Sequence, residues 1–259
     1  MPGSAPPAAP PRIELRDVWK RFDDKTVLAG VNLKVMRGES LVIIGGSGTG
    51  KSVTLKCILG IERHDRGEVL IDGVPLAKVD RREWLRHFGM LFQGGALFDS
   101  LTVWQNVAFR RRQARVPLSR KEARELAIEK LRRVGLTPDV ADLYPAELSG
   151  GMQKRVGLAR AIALDPEVIF FDEPTAGLDP IMAGVINDLI RELVEEMGAT
   201  AITITHDMTT VRTVADHVAM LHGGVVRWAG PVEDVEAAHD PYLDQFIHGR
   251  AEGPIEAVR

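Results

Sequence analysis

The chain has 259 residues, of which 45% are hydrophobic and 27% are charged, and its formal net charge is −3. A chain of this length and composition can bury a large core without disulfides or metal ions, which excludes the disordered and collagen-like classes. The slight acidity argues against a general nucleic-acid binder, because such proteins carry a clustered positive excess.

Three features of the sequence bear on its compartment. Cys57 is the single cysteine, so no intrachain disulfide can form, which favours a reducing compartment. No apolar stretch approaches the roughly 18 residues that span a bilayer. Residues 1–12, MPGSAPPAAPPR, lack the basic start and apolar middle of a secretory signal and are predicted to be a flexible Pro/Ala-rich tail. Together these features predict a cytosolic protein that does not cross a membrane.

The next part of the chain combines short β-like runs with one helix. Residues 13–35 contain the runs IELRDVW and TVLAGVNLKV. The buried strand SLVII, from Ser40, is followed by the loop GGSGTGKS and by an apolar helix that Gly60 closes. The segments GEVLIDG and MLFQ are predicted to be two further strands.

Helical signals dominate between residues 101 and 164, where strand-like runs disappear. Ser119 and Glu122 form a capping box for a helix that Gly135 closes. This pattern predicts an inserted helical subdomain at about residues 101–164.

Strands and helices alternate again after the helical subdomain. VIFFD is a buried strand, Asp179 and Pro180 open a long helix, and the strand TAITIT, a short helix and the strands HVAML and VVRWAG follow. Such alternation is typical of a parallel sheet. The sequence therefore predicts an α/β fold with a mixed, mostly parallel sheet, an N-terminal antiparallel β part and the inserted helical subdomain.

The strongest chemical motif is GxxxxGKS, formed by Gly45, Gly50, Lys51 and Ser52. Its glycines let the loop wrap a phosphate with backbone N–H groups pointing inward, at the positive end of the following helix. Lys51 would contact the β- and γ-phosphates, and Ser52 would supply a hydroxyl to Mg²⁺. Because the loop lies between a buried strand and a helix, we interpret it as the phosphate loop of a P-loop NTPase rather than a chance glycine-rich turn.

A pair of acids follows the strand VIFFD. Asp172 can hold Mg²⁺ through water, and Glu173 can orient or deprotonate an attacking water. Alone, the pair would more often be a helix-capping turn. Beside a P-loop, it indicates nucleotide hydrolysis.

The segment LSGGMQ, residues 148–153, precedes a helix predicted to begin around Met152. Free N–H groups and the helix dipole could meet an anion there. Taken alone, Ser149 could equally be an N-cap and the two glycines a turn.

The ordered motifs GGSGTGKS, Gln93, LSGGMQ, VIFFDE, AGLD and His206 resemble the ATP-binding subunit of an ABC transporter, and the resemblance covers nearly all of the chain from Ile13 onward. It implies the ABC ATPase fold, a second ATPase copy and integral membrane permease subunits as partners. It also implies that Gln93 contacts Mg²⁺ and links to the membrane subunit, that Asp179 contacts the second copy, and that His206 senses the γ-phosphate.

The same resemblance completes the set of site residues. The signature Ser149, Gly150 and Gly151 would contact the γ-phosphate of the ATP held by the other copy, and Phe22 would stack on adenine, although such a phenylalanine is as often a core residue. The implied catalytic residues are Lys51, Gln93, Glu173 and His206, and the implied Mg²⁺ ligands are Ser52, Gln93 and Asp172. The implied ATP-binding residues are Phe22, Gly45, Gly46, Ser47, Gly48, Thr49, Gly50, Lys51, Ser52, Val53, Ser149, Gly150, Gly151 and Asp179.

Two further segments, LFQGGALFDSLTVWQNVAF and DPYLDQFIHGRAEGP, resemble the ATPase of Mla/Mce-type phospholipid transporters. This implies an ATPase domain at residues 13–239 and a C-terminal extension at residues 240–259 that contacts the partner ATPase. It also implies phospholipid transport that maintains outer-membrane lipid asymmetry, with an MCE-type substrate-binding protein and a small STAS-type subunit as further partners. The chain would then lie on the cytoplasmic face of the bacterial inner membrane, with no nucleic-acid partner.

Several alternatives stay open at this point. The first alternative is the ATPase of a small-solute importer, and the tail motif is the feature that distinguishes it from the ATPase of a phospholipid transporter. A soluble ABC ATPase of DNA repair or translation would have two ATPase units in one chain or a long coiled-coil insert, and a binding-only module is disfavoured by the presence of Glu173. The basic run RRRQAR from Arg110 is either a solvated helix face or a contact with the permease or with anionic lipid.

Overall fold

The computed structural model describes residues 9–256, so residues 1–8 of the predicted tail and residues 257–259 lie outside the described residues. The described strands are β1 (Ile13–Phe22), β2 (Lys25–Val35), β3 (Ser40–Ile44), β4 (Arg66–Ile71), β5 (Val74–Pro75), β6 (Phe88–Leu91), β7 (Val168–Asp172), β8 (Thr200–Ile204), β9 (His217–His222) and β10 (Val225–Pro231). The described α-helices are α1 (Lys51–Ile58), α2 (Arg81–Arg86), α3 (Val103–Val107), α4 (Phe109–Arg112), α5 (Arg120–Arg133), α6 (Gly150–Ala161), α7 (Pro180–Met197), α8 (Met208–Val214) and α9 (Pro241–Ile247).

The strands form two sheets of different kinds. A four-stranded antiparallel sheet has the order β2-β1-β4-β5. A six-stranded sheet has the order β10-β9-β3-β8-β7-β6, and its strands are parallel except for β10, which pairs antiparallel with β9. This arrangement confirms the predicted α/β fold with an N-terminal antiparallel part.

The larger sheet places the predicted motifs at one edge. The loops that follow β3, β6, β7 and β8 all leave the carboxyl ends of parallel strands, which lie at the same side of a sheet. These loops carry, in chain order, the P-loop, Gln93, the acid Glu173 and His206. Segments far apart in sequence therefore meet at one end of the sheet.

Alternate residues of the central strands face two different cores. Leu41 and Ile43 of β3 pack with α1 and the antiparallel sheet, whereas Val42 and Ile44 pack against the helices on the opposite face. Strand β7 divides in the same way, and its Phe170 stacks on Phe88 with ring centroids 4.9 Å apart. Because both faces are covered, these strands are continuous apolar runs in the sequence.

Residues 92–167, all of which the structure describes, contain helices and turns and no strand. The capping box is present, since the Glu122 N–H donates to the Ser119 hydroxyl and the Ser119 N–H donates to the Glu122 carboxylate. The chain after α5 turns at Gly135, whose φ of 70° favours glycine. Helix α6 begins at Gly150, two residues before the predicted start, because Ser149 caps it by accepting the Met152 N–H.

The C-terminal helix α9 packs on its own chain. Asp240 caps it by accepting the N–H groups of Tyr242 and Leu243, as the Asp-Pro sequence predicts. Leu243 is fully buried in the helical core, and Tyr242, Phe246 and Ile247 pack partly buried against that core. Contact of this segment with a second ATPase stays a prediction.

Within residues 9–256, every helix is too short or too polar to span a bilayer.

Candidate active site

The P-loop follows β3 and runs directly into α1. Gly45 has a φ of 146°, and a Cβ there would lie 2.2 Å from the carbonyl oxygen of Leu221. Gly50 has a φ of 106°, and its Cβ would lie 2.7 Å from the Leu28 side chain. Only glycine fits these two positions, because a side chain would meet both strain and a close neighbour. Close packing on β2 and β9 therefore fixes the shape of the loop.

The Lys51 ammonium group lies inside the loop that precedes it. It donates to the carbonyl oxygens of Gly45 at 2.6 Å and Gly46 at 2.8 Å. Burial lowers the pKa of Lys51, while the negative charges of Glu173 and Asp172 act in the opposite direction. The loop thus holds a partly desolvated cation that feels the negative charge of the acid pair.

The start of α1 offers donors to an anion. The first intrahelical bond runs from the Thr54 N–H to Gly50, so the N–H groups of the residues before Thr54 have no intrahelical acceptor. Gly50 supplies no side-chain cap, and no acid stands in the first turn. The Ser52 side chain is exposed, whereas Val53 packs partly buried against the core between the sheets. The remaining loop residues form the exposed rim: Gly46 and Thr49 are half-buried, and Ser47 and Gly48 are exposed.

The acid pair lies at the end of β7. Burial raises the pKa of Asp172, the neighbouring Glu173 raises it further, and Lys51 and Lys154 lower it. Glu173 has a φ of 47°, in the left-handed region that a glutamate rarely adopts. Its N–H donates to the Ile204 carbonyl at 2.9 Å, which attaches it to the neighbouring strand β8.

The structure brings Glu173 and His206 together. The His206 Nδ1 lies 2.9 Å from a carboxylate oxygen of Glu173, and the Thr205 hydroxyl donates to the other oxygen at 3.3 Å. The Glu173 side chain is 16% exposed, whereas the His206 side chain is 69% exposed. The carboxylate is thus bonded through one oxygen to Thr205, the residue after β8, and through the other to the exposed imidazole.

Asp207 supports this pair, a role that sequence reasoning missed. The Thr205 hydroxyl accepts the Asp207 N–H at 3.0 Å, and the Asp207 carboxylate accepts the hydroxyls of Thr210 at 2.9 Å and Thr175 at 3.3 Å. Burial alone would raise the pKa of Asp207, but the Thr209 N–H and these hydroxyls outweigh it and hold that pKa below its ordinary range. The signal in the sequence is an aspartate directly before the short helix α8, which it caps.

The signature residues lie beside the start of α7. Ser149 and Gly150 are exposed at the N-terminus of α6, which has no acid in its first turn. A Cβ on Gly151 would lie 2.7 Å from the end of the Met182 side chain. Asp179 is exposed and caps α7 by accepting the N–H groups of Ile181 and Met182. Contacts of the signature and of Asp179 with a second copy stay predictions.

Gln93 is exposed in the loop after β6, and α6 holds that loop in place. The Arg160 guanidinium donates to the carbonyl oxygens of Gly95 at 2.8 Å and Ala96 at 2.9 Å. A Cβ on Gly157 would lie 3.4 Å from Gly95, so the loop and the helix approach closely. The loop that carries Gln93 is therefore tied to the helix that carries the signature.

Two further predicted features are Phe22 and the basic run from Arg110, and each has contacts of its own. Phe22 is 40% exposed at the end of β1, and the Lys20 ammonium lies 4.8 Å from its ring centroid. An exposed ring fits a stacking surface for a base better than a core position. Arg110 is exposed, like the rest of the basic run, and its guanidinium donates to the carbonyl oxygens of Leu85 and Phe88. This residue therefore ties α4 to the start of β6, and whether the run contacts the permease or anionic lipid stays a prediction.

Comparison with known proteins identifies the family. The ABC transporter family matches residues 28–176, more than half of the chain. The chain belongs to the ABC transporter family. The match contains the P-loop, Gln93, the signature and the acid pair, and it ends before His206. This ABC chain binds ATP and is an ATPase. ABC transporter ATPases form dimers that act on membrane permease subunits.

Similar ABC proteins cover most of the chain. A ribonucleotide transport ATP-binding protein, mkl, of Mycobacterium leprae is 40% identical, with 94% of this chain and 70% of that protein aligned. The intermembrane phospholipid transport system ATP-binding protein MlaF of Haemophilus influenzae is 39% identical, with 94% and 92% aligned. The dimeric structure of the ATP-binding cassette MJ0796 bound to ADP and Pi is 33% identical, covers 85% of this chain and 98% of that cassette, and has a TM-score of 0.75.

Proposed function

We propose that this ABC ATPase hydrolyses ATP with Glu173 as the residue that orients and deprotonates the attacking water. The placement of the Glu173 carboxylate carries this proposal: Thr205 and His206 fix it at the same edge of the sheet that carries the P-loop. The hydrogen bond between the Glu173 carboxyl group and His206 Nδ1 would fix the orientation of the imidazole. Lys51 would exchange its two carbonyl partners for phosphate oxygens, and the free N–H groups of α1 would hold the same phosphates.

The residues predicted to hold Mg²⁺ fit that ion. Ser52, Gln93 and Asp172 offer a hydroxyl, an amide oxygen and a carboxylate, which are the hard oxygen donors that Mg²⁺ prefers. No group of three or more His, Cys, Asp or Glu side chains among residues 9–256 is arranged to hold a metal ion. This agrees with a set that has one carboxylate and is completed by substrate phosphates and water. The ion would neutralise charge on the phosphates.

A second copy of the chain would complete the site. The signature Ser149 to Gly151 would face the γ-phosphate bound by the other copy, where the N-terminus of α6 presents free N–H groups without a competing acid. Asp179, at the adjacent N-terminus of α7, would contact the partner at the same interface. Binding of ATP would close the pair, and release of products would reopen it, so that hydrolysis acts as a switch on the permease.

Phospholipid is the proposed cargo of the permease. The support is the 39% identity to MlaF of Haemophilus influenzae, of which 92% is aligned, together with the tail DPYLDQFIHGRAEGP. An MCE-type substrate-binding protein and a small STAS-type subunit would be further partners, and the chain would lie at the cytoplasmic face of the bacterial inner membrane. The name of the mkl relative supports ribonucleotide as a second candidate cargo.

The chemical part of the proposal is tested by Glu173→Gln. The amide keeps the shape of the carboxylate but cannot take a proton, so we expect unchanged ATP affinity and hydrolysis slower by at least ~10²-fold. Calorimetry measures the affinity, and a steady-state phosphate-release assay measures turnover. A variant with full turnover would remove the base role from Glu173.

The cargo is tested by isolating the ATPase with its membrane partners and analysing the bound lipids. The complex is then placed in phospholipid vesicles, where transfer of labelled phospholipid and uptake of labelled ribonucleotide are both measured. We expect ATP-dependent phospholipid transfer that the Glu173→Gln complex lacks. Ribonucleotide uptake without lipid transfer would assign the chain to the second candidate instead.

A further inference from the structure

Lys154 is a buried cation on the inner face of α6. The residue is 3% exposed, and its ammonium donates to the backbone carbonyl oxygen of Glu173 at 3.2 Å. No carboxylate of the described residues lies within 4.0 Å of this ammonium, so no ion pair accounts for its burial. Burying an ammonium group without an ion pair is unfavourable, and burial lowers the pKa of Lys154, while the negative charges of Glu173 and Asp172 act in the opposite direction.

The backbone of Glu173 needs such a restraint. Its φ of 47° is a conformation that residues other than glycine persist in only where their surroundings hold them. Strand β8 holds the N–H side through the bond to Ile204, and Lys154 holds the carbonyl side through the bond from α6. The direction of the carboxylate follows from this backbone conformation, since both restraints act on the residue that carries it.

Helix α6 also carries the signature at its N-terminus, so Lys154 lies one to two turns from Ser149 on the same rigid element. A small shift of the signature would therefore reach the carbonyl of Glu173 through Lys154. We infer that Lys154 is a positioning residue for hydrolysis, which aims the Glu173 carboxylate and connects it to the signature helix. This inference rests on the proposed role of Glu173 in hydrolysis.

The test replaces Lys154 by methionine, which has a similar length and no donor, in the full chain assembled with its permease. We expect turnover at saturating ATP to fall by at least ~10-fold, because misaiming of a reacting group by about 1 Å can cost ~10²-fold. ATP affinity should change by less than about twofold, since the phosphate-binding groups remain. Lys154→Arg, which keeps a charged donor, should recover most of the turnover.

Lys130→Met is the matched control. Lys130 is also 3% exposed and donates from α5, to Asp165 at 2.7 Å, in the helical subdomain and away from the acid pair. The same chemical change there should lower thermal stability without lowering turnover of the folded protein. Turnover reduced equally in both variants would mean that Lys154 has a structural role only, which overturns the inference.

A double-mutant cycle identifies the residue through which Lys154 acts. If Lys154 acts through Glu173, adding Lys154→Met to Glu173→Gln should cause no further loss of turnover. Losses that multiply, or full turnover in Lys154→Met alone, would overturn the inference and leave the role of Glu173 intact. Full turnover in Glu173→Gln would overturn both. If Lys154→Met does not fold, Lys154→Gln, a donor without charge, decides the same comparison.

Discussion

At the scale of single residues, Lys51 shows which hydrogen bonds the P-loop makes before a nucleotide binds. Its ammonium bonds to two carbonyl oxygens of its own loop, so a phosphate must replace neutral partners by charged ones. Such an exchange is favourable because hydrogen bonds to an ionised acceptor are stronger. The free energy that Lys51 contributes to ATP binding is therefore the difference between its bonds to phosphate oxygens and its bonds to the two carbonyl oxygens.

The variant Lys51→Ala removes this cation and leaves the backbone N–H groups alone to hold the phosphates. Hydrogen bonds to charged groups contribute about 1.5–3 kcal/mol, so we expect ATP affinity to fall by about 10- to 100-fold. Calorimetric titration with ATP measures the change. Lys121→Ala, at an exposed lysine of α5, is the control with the same loss of charge and should bind normally. Equal affinity in both variants would contradict the assigned role of the P-loop.

The P-loop and the acid pair were predicted from the chemistry of their motifs, whereas Gln93 and His206 were predicted from the family resemblance. Glu173 and His206 were each predicted, and the structure adds that they touch. Lys154 and Asp207 could not be predicted in the same way, since a lysine in a basic helix and an aspartate in a turn are common on surfaces. Their roles depend on a backbone carbonyl and on threonine hydroxyls that approach only after the sheet has formed.

At the scale of elements, the short helix α8 is the support of the Glu173 and His206 pair. Asp207 caps this helix, and because its pKa is lowered in the fold, its charged form stabilises the protein at a pH above the ordinary value of 3.8. That contribution is lost as the pH falls through the lower folded-state pKa. Helix α8 should therefore be least stable at acidic pH.

Asp207→Ala should lower the free energy of unfolding by about 1 kcal/mol at neutral pH, the usual effect of losing an N-cap. The difference from the natural chain should shrink as the pH falls below 3.8 and through the lower pKa that Asp207 has in the fold, where its carboxylate becomes protonated. Turnover should also fall, because Asp207 orients Thr205 behind Glu173. Denaturant titrations across pH and phosphate-release assays measure the two effects.

The control for this prediction is Asp80→Ala. Asp80 caps α2 in the same way, by accepting the N–H groups of Arg82 and Glu83, and these hydrogen bonds stay within α2. It should lower stability and leave turnover unchanged. A turnover loss in Asp80→Ala as large as in Asp207→Ala would mean that Asp207 only stabilises the fold.

The elements themselves were predicted unevenly. Helix α5, with its capping box and closing glycine, agrees with the prediction because these signals are local. Helix α2 was not predicted, although Asp80 caps it, because six residues offer too little apolar periodicity to be seen. The contact between α6 and the loop after β6 also escaped prediction, since it depends on the tertiary approach of Gly157 to Gly95.

At the scale of the whole molecule, the C-terminal segment from Asp240 onward is the part of the chain predicted to contact a second ATPase copy. Leu243 is buried in its own chain, and Gln245 donates to the carbonyl oxygens of Arg250 and Ile255. The segment is therefore ordered by its own subunit, with its charged face outward. The predicted partner contact would use that outward face.

Deleting the chain from Asp240 onward should leave ATP affinity unchanged and lower both pairing and turnover of the complex, because a contact between subunits stabilises only the paired state. Leu243→Ala is the control that loosens the internal packing but keeps the outward face, and it should lower the free energy of unfolding by about 2–4 kcal/mol. Sedimentation, melting and phosphate release compare the two proteins. Equal pairing in both would show that the tail only packs on its own subunit.

The buried charges around the nucleotide site have a consequence for the whole assembly. Within one chain, the negative charges of Asp172 and Glu173 act on the ammonium groups of Lys51 and Lys154, so that two acids and two cations balance one another around the pocket. Magnesium–ATP would bring a net negative charge into this balance, and the proposed approach of the acid-free N-terminus of α6 from a second copy would offset that charge. The bound nucleotide would thus hold two copies of the chain together by electrostatic attraction. That attraction would weaken when the γ-phosphate leaves and when dissolved salt screens the charges.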